Sequence, residues 1–316
     1  MCELRILVGL PASGKSTYAK IAEKEGYKVF SSDEYREKME KDTPNFVVFE
    51  KLLYDLRKSL KPDGKYILDA LNLSRKRRKG IISDIKDYYK RLTAREVVVY
   101  CDLFVVPVEE CIRRNNSREN KHGVDDAVIL DKQSAFQCPW YSDGFDEIFV
   151  HPFKMDKMTY NREAFDTFNQ DNPHHSLSLG DHWKKAYKYI EQNYIFTENF
   201  PFLLEAIKYH DDGKFFTKKY TDSRGNSTDI AHYYRHENVG AYLFLQRAFC
   251  TTQFEQEDEY PLTEWGKLYV ANLINWHMRP FEWVKYSNLL EKDKMLLGNE
   301  MIRDLEAINL ADKSAK

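Results

Sequence analysis

The sequence predicts two units of different class: an α/β unit with a parallel sheet and flanking helices over residues 1–152, then an all-α unit over residues 153–316. Three observations predict this. Up to about residue 152, short β-branched runs alternate with longer amphipathic segments, the pattern of parallel strands joined by helical crossovers. A glycine loop, Gly9 to Ser16, lies between the first apolar run and the first helical segment. After about residue 152 no β-branched run recurs, and each periodic segment has helical spacing.

Taken in order, Leu4–Val8 is the first predicted strand, and a helix follows the glycine loop to about Glu25. Tyr27–Ser31 is the second strand. Residues 46–60 read as a helix, because Phe46, Phe49, Leu52 and Leu53 fall on one side of it. Tyr66–Leu68 is the third strand, residues 76–92 a helix, and Glu96–Cys101 a buried strand. Pro107 opens a helix, and Glu147–Val150 closes the series. In the second unit, helices are expected over 182–195, 199–211, 228–249, 264–278 and 295–311, with the joint between units inside Lys154–Asn172.

Composition narrows the function classes. A chain of 316 residues suits two domains of roughly 150 each. With 48 Lys+Arg against 50 Asp+Glu, the net charge of −2 excludes a bulk polycation but not local basic patches. Hydrophobic content of 42% and aromatic content of 14% exclude a disordered chain. No run of about 18 apolar residues exists, which excludes a membrane helix. The opening MCELRILVGL reads as a strand rather than a signal peptide. Cys2, Cys101, Cys111, Cys138 and Cys250 are scattered and never form CxxC, so neither a disulfide framework nor a zinc-thiolate site is expected; a cytoplasmic location with reduced thiols is.

Gly9-Leu10-Pro11-Ala12-Ser13-Gly14-Lys15-Ser16 matches G-x-x-x-x-G-K-[ST] without exception. Its glycines let backbone N–H groups turn around a phosphate, and the helix N-terminus behind it adds positive potential. Lys15 would reach the terminal phosphates and Ser16 a Mg²⁺ ion. Ser32-Asp33-Glu34-Tyr35-Arg36 follows the second strand, at the carboxyl edge where open α/β sheets bind ligands. Asp33 there could deprotonate an attacking hydroxyl or could merely cap a helix. Arg36, three residues on, could clamp a phosphate. Asp69 ends the third strand, and the basic run Arg75-Lys76-Arg77-Arg78 behind it is either a solvated helix face or a hold on a polyanion. The arginines of Arg113-Arg114-Asn115-Asn116-Ser117-Arg118 fit a lid over donor phosphates.

Together the segments GLPASGKST, SDEYR, LDALNLSRKRR and RRNNSREN resemble the 5′-hydroxyl polynucleotide kinases, over about residues 1–150. The resemblance implies a P-loop kinase domain in which Gly9, Ala12, Ser13, Gly14, Lys15, Ser16 and Thr17 hold ATP and Mg²⁺. It makes Asp33 the general base on the 5′-OH, Arg36 the grip on the 3′-phosphate of the terminal nucleotide, Asp69 a supporting acid and Arg118 the lid arginine. The third-strand motif of such enzymes often reads D-T-N; this chain has Asp69-Ala70-Leu71-Asn72 instead.

Histidines concentrate in the second unit. His210-Asp211 closes an apolar helix, with Gly213-Lys214 after it, and an adjacent His-Asp pair can present a nitrogen and an oxygen to one divalent ion. His174, His175 and His182 lie upstream; His232, His236, His277 and Asp312 lie downstream. Singly, His182 could be a core histidine and Asp312 a surface acid, and His232 with His236 could be an i,i+4 pair on one helix. The order H…HD…H…H…D resembles the HD-domain metal-dependent phosphohydrolases over about residues 172–316. By that resemblance His182, His210, Asp211 and Asp312 bind a first metal, His236 and His277 a second, and Lys214 contacts the scissile phosphate. His232 is then structural, and His174 and His175 touch substrate or cap the fold.

The two resemblances imply a bifunctional nucleic-acid end-healing enzyme, with RNA ends the first expectation and DNA ends left open. It would phosphorylate 5′-OH ends with ATP and Mg²⁺, and remove 2′,3′-cyclic or 2′/3′-phosphates with one or two transition metals such as Mn²⁺. A ligase would act after it, and no membrane is involved. Two other readings are a small-nucleoside kinase fused to a nucleotidase, and a nucleotide-binding regulator with a degenerate HD pocket.

Overall fold

The computed structural model describes residues 1–118, 123–155, 162–173, 176–250 and 261–315. They form two compact units, one of Met1–Lys132 with Pro139–Phe153, the other of Gln133–Cys138 with Lys154–Lys316. The chain therefore crosses between units more than once, instead of changing class at a single point at residue 152. Gln133–Cys138 is tied into the second unit where Asn238 Nδ2 donates to the Ser134 carbonyl at 2.8 Å and the Phe136 ring meets Tyr242 edge-on.

In the first unit, β1 (Cys2–Val8), β2 (Lys28–Ser31), β3 (Lys65–Asp69), β4 (Val97–Val105) and β5 (Glu147–Pro152) form one sheet in the order β2-β3-β1-β4-β5. All four pairings are parallel. Every strand thus ends on the same edge, and the chain segments after Val8, Ser31 and Asp69 emerge there together. Around the sheet lie α1 (Lys15–Lys24), α2 (Ser32–Glu37), α3 (Asn45–Ser59), α4 (Arg75–Thr93), α5 (Val108–Asn116) and α6 (Asp126–Ser134). The near-continuous apolar strands are explained by burial on both faces: Leu4, Ile6, Leu7 and Val8 are all at 0% exposure. Under α1, Leu7, Ile67 and Phe104 enclose Ala19 and Ala22 in a cluster that fixes the helix on the sheet. Each fully buried aliphatic side chain there contributes about 1.5–3 kcal/mol.

The second unit contains α7 (Arg162–Asp166), α8 (Leu179–Tyr194), α9 (Phe200–Tyr209), α10 (Lys214–Thr217), α11 (His236–Cys250), α12 (Glu264–Trp276), α13 (Pro280–Trp283) and α14 (Ser287–Ser314). It is not purely helical. Lys219–Thr221 and Ser227–His232 pair antiparallel as β6 and β7. The turn between them has Gly225 at φ +86°, and Asp222 accepts from the Arg224 and Asn226 amides. The expected helix over 228–249 is therefore a strand, a turn and then α11, so His232 and His236 do not share a helix. α14 is bent at Gly298, whose φ of +82° breaks the helical ladder. α11 and α12 pack together at the centre, and most of their residues are buried. Among the described residues no helix is long and apolar enough to cross a membrane. All five cysteines are free and buried.

Candidate active sites

The first site is built on the loop between β1 and α1. Gly14 sits at φ +100° at the start of α1, a conformation that turns the amides of the loop inward. No side chain caps α1, so its N-terminal amides stay open to an anion. Lys15 is buried and folds back on the loop, donating to the carbonyls of Gly9 at 3.0 Å and Leu10 at 2.6 Å and to Ser13 Oγ at 3.2 Å. Burial pushes its pKa down to about 8, against the opposing pull of the Asp69 and Asp33 carboxylates. Ala12, at φ +60°, and Ser13 complete the buried wall of the loop, whereas Ser16 and Thr17 lie exposed on the first turn of α1.

Asp69, at the end of β3, is 5% exposed, and burial raises its pKa although the Ser16 hydroxyl bonds to it. A serine hydroxyl beside a carboxylate is the hard-oxygen set that suits Mg²⁺, so the residues fit that ion. Asn72 braces this corner: its Nδ2 donates to the Leu7 carbonyl at 2.8 Å, while the Gly9 amide donates to the Leu71 carbonyl at 3.2 Å. The departure from D-T-N therefore still supplies an asparagine that joins β3 to the phosphate loop.

Ser31, not Asp33, occupies the cap of α2. Asp33 is exposed in the first turn, close enough to act electrostatically on both Lys15 and Asp69. Arg36 is exposed on the same short helix and donates to Asn45 Oδ1. Arg118, just past α5, is exposed and within electrostatic range of Lys15; its motif neighbours Glu119 and Asn120 lie outside the described residues. Arg114, of the same arginine run, also reaches the loop. Its Nη1 lies 3.8 Å from where a Cβ on Gly14 would be, and Glu110 Oε1 holds its Nε at 2.6 Å. The i,i+4 spacing of Arg114 and Arg118 was the available signal.

The basic run behind β3 divides. Arg75 and Arg78 are buried, and Asp143 pairs with Arg78 Nη2 at 2.6 Å and with Arg75 Nε at 3.2 Å. Arg78 also donates to the carbonyls of Asn72 and Leu73. These two arginines therefore hold the loop after β3 and offer nothing to a ligand. Lys76 and Arg77 are exposed.

The second site lies within the helical unit, where six residues distant in sequence converge. His182 comes from α8, His210 and Asp211 from the end of α9, His236 from the start of α11, His277 from the end of α12 and Asp312 from α14. All six are buried. His182, His210, Asp211 and Asp312 make one group, and Asp211, His236 and His277 a second, with the ligand atoms of each group within 4.8 Å of one another. Asp211 belongs to both. Its Oδ2 lies 3.3 Å from the Nε2 atoms of His182 and His210, and its Oδ1 lies 3.3 Å from His236 Nε2 and 3.7 Å from His277 Nε2. Asp312 Oδ1 is 3.1 Å from His182 Nε2.

Tautomers follow from the outer contacts. The Nδ1 atoms of His182, His210, His236 and His277 each face a backbone carbonyl, of Ala315, Ile207, Tyr233 and Ile274. A carbonyl only accepts, so the ring proton sits on Nδ1 and the Nε2 lone pairs point inward. There His182 Nε2 meets His210 Nε2 at 3.4 Å, and His236 Nε2 meets His277 Nε2 at 3.1 Å. Burial, with His236 and His210 beside it, pushes the His277 pKa down to about 3, which keeps that imidazole neutral. For His182, burial is outweighed by bonds to Asp211 and Asp312, which raise the pKa to about 9, so that until a cation replaces it a second proton sits on Nε2 between those carboxylates. Burial would raise Asp211, but His210 and Lys214 hold it well below the carboxylate range. Inward lone pairs and carboxylates packed this closely repel unless a cation lies among them. The donor set fits borderline divalent ions such as Mn²⁺, Co²⁺, Ni²⁺, Zn²⁺ or Fe²⁺.

Lys214 is buried beside this cluster, its Nζ donating to Asp211 Oδ2 at 2.7 Å and to Gln170 Oε1 at 3.0 Å. Gln170, at 0% exposure, was not anticipated; it sits in a loop outside any motif, and only the fold brings it there. Gly213 explains how His210-Asp211 meets His236, since a Cβ on it would lie 2.0 Å from the His236 carbonyl oxygen. His232 stacks on Tyr234 and belongs to neither group of ligands. His174 and His175 lie outside the described residues.

Residues 4–139 match the family model described as an AAA domain, less than half of the chain. The parallel sheet and its glycine loop make the first unit a P-loop nucleotide-binding domain. No curated protein matches the chain. Among solved structures, one titled "Crystal Structure of Fungal RNA Kinase" is similar at 16% identity and a TM-score of 0.34, over 51% of this chain and 77% of that one.

Proposed function

We propose that the chain is a bifunctional nucleic-acid end-healing enzyme: an ATP-dependent 5′-hydroxyl kinase in its first unit and a metal-dependent phosphohydrolase in its second. The observation that carries the reading is the convergence of four inward imidazole lone pairs on two buried carboxylates, on the same chain as a complete phosphate loop.

In the kinase half, Lys15 and the amides of Gly9 to Ser16 bind the donor phosphates, and the Lys15 ammonium leaves the loop carbonyls for them. Bound Mg²⁺, on Ser16 and Asp69, would neutralise charge between the phosphates. Asp33 receives the proton of the acceptor 5′-OH, Arg36 holds the acceptor's own phosphate, and Arg114 and Arg118 offset charge on the transferring group. In the hydrolase half, His182, His210, Asp211 and Asp312 would hold one divalent ion, and Asp211, His236 and His277 a second. Such ions supply Lewis acidity for a phosphate ester and its attacking water. Lys214 offers its ammonium to a phosphate oxygen. The substrates are an RNA 5′-OH and a 2′,3′-cyclic or 2′/3′-phosphate, and the products are the ends a ligase joins.

One gel tests both halves. An RNA oligonucleotide with a 5′-OH and a 2′,3′-cyclic phosphate, given ATP, Mg²⁺ and Mn²⁺, is expected to gain a 5′-phosphate and lose the cyclic phosphate. No change at either end rejects the reading, and turnover of nucleosides and mononucleotides alone replaces it with a small-molecule kinase and nucleotidase.

A further inference from the structure

A groove of about 410 Å³ opens in the first unit between α3 and α4, lined by Leu53, Ser74, Lys76, Arg77, Ile81 and Asp84. It does not belong to the phosphate loop. Its floor is apolar, from Leu53 and Ile81, and its rim is cationic. The Arg77 guanidinium lies 3.5 Å from the centroid of the Phe49 ring, a cation–π contact that holds the charge in place. The acid in the lining is already neutralised: both oxygens of Asp84 accept from Arg57, at 3.0 and 3.1 Å. Among the described residues neither Lys76 nor Arg77 has an ion-pair partner. Partial burial lowers the Arg77 pKa with no carboxylate to oppose it. Moreover, α4 begins with five basic residues, Arg75 to Lys79, and no acid in its first turn, at the end of a helix whose dipole already favours anions. Arg75 and Arg78 share the single charge of Asp143, whereas Lys76 and Arg77 line the groove.

The two helices of the groove are linked to the segments that carry Asp33, Arg36 and Asp69. α4 starts six residues after Asp69, and α2, which carries Asp33 and Arg36, is tied to α3 by Tyr35–Asp55 at 3.0 Å and by Arg36–Asn45.

We infer that this groove is a second binding site for the acceptor strand, holding a phosphate beyond the terminal nucleotide on Lys76 and Arg77, over the apolar floor of Leu53 and Ile81. The inference rests on the kinase reading for the identity of the strand, but not for the binding. Cations that track the phosphate backbone bind single-stranded nucleic acid without reading its sequence.

The test uses the full chain and 5′-OH RNA oligonucleotides of two and ten nucleotides, labelled with fluorescein at the 3′ end. Anisotropy titrations are run over a salt series on the unmutated chain and on Arg77→Ala, Lys76→Ala and Lys79→Ala. Lys79→Ala removes the same charge from an exposed position on α4 that does not line the groove. The ten-mer is expected to bind more tightly than the dinucleotide. Arg77→Ala and Lys76→Ala should each weaken the ten-mer about 5- to 10-fold and flatten the log K–log salt slope by about 0.7 for each phosphate that is no longer neutralised. The dinucleotide should be unaffected, and so should both oligonucleotides with Lys79→Ala. In kinase assays the same two variants should raise KM for the ten-mer and leave kcat unchanged. Equal affinity for the two lengths, or equal effects of Arg77→Ala and Lys79→Ala, overturns the groove while leaving the kinase reading intact. Length-dependent, Arg77-dependent binding without phosphoryl transfer has the opposite meaning: the groove stands and the kinase reading fails.

Discussion

Lys15 shows what a single buried charge does to both stability and ligand binding. Its pKa in the folded chain is about 8, against an ordinary 10.5. Between those values the unfolded chain carries more protons, so stability rises with pH through that window; below pH 8 the whole cost, ~3 kcal/mol, is present. A bound phosphate reverses the shift by favouring the ammonium. Nucleotide binding near pH 8.5 should therefore take up a fraction of a proton, and affinity should fall as pH rises further. Calorimetry in two buffers of different ionisation heat measures this directly, with no uptake expected for Lys15→Met. Equal apparent enthalpies in both buffers for the unmutated chain would contradict the account. Asp143 is the converse case, an acid whose loss leaves Arg75 and Arg78 buried without their counter-charge. Asp143→Ala should cost ~3 kcal/mol or more in a urea titration. A loss under 1 kcal/mol would mean the arginines find water instead.

At the scale of elements, the sequence is legible where one physical signal dominates. The strands of the first unit are recognisable because burial on both faces makes them continuous apolar runs, and their order along the carboxyl edge makes Asp33 and Asp69 stand out. β6 and β7 were not legible, because Ser227–His232 is a short exposed strand whose polar residues mask its alternation. The basic run on α4 misled for a related reason: spacing places Arg75 and Arg78 on one face, but only the fold supplies Asp143. Gly213 belongs to this scale, since it lets the turn after α9 touch α11 backbone to backbone. Gly213→Ala should therefore push the two apart, destabilise the chain by ~1–3 kcal/mol and loosen the ion held by His236 and His277. Thermal denaturation and elemental analysis check both consequences. A variant with the parent's melting temperature and metal content would show that the close approach is dispensable.

For the whole molecule the decisive question is whether the chain contains two chemistries or one. The phosphate loop and the His/Asp cluster lie in different compact units, and each is assembled entirely from residues of its own unit. The proposed chemistries would also use different ions, a hard oxygen-bound Mg²⁺ in the first and a borderline nitrogen-bound metal in the second. Removing one key acid should then silence one activity alone. Asp33→Asn keeps the shape of the side chain but cannot take a proton, so phosphoryl transfer should fall by at least 100-fold, with hydrolysis of a 2′,3′-cyclic phosphate unchanged. Asp211→Ala should do the reverse, abolishing hydrolysis, lowering the bound transition metal by elemental analysis and leaving 5′-phosphorylation intact. If Asp211→Ala retains its metal, the ligand assignment is wrong. If either substitution removes both activities from a folded protein, the units do not work independently and the two-site account fails.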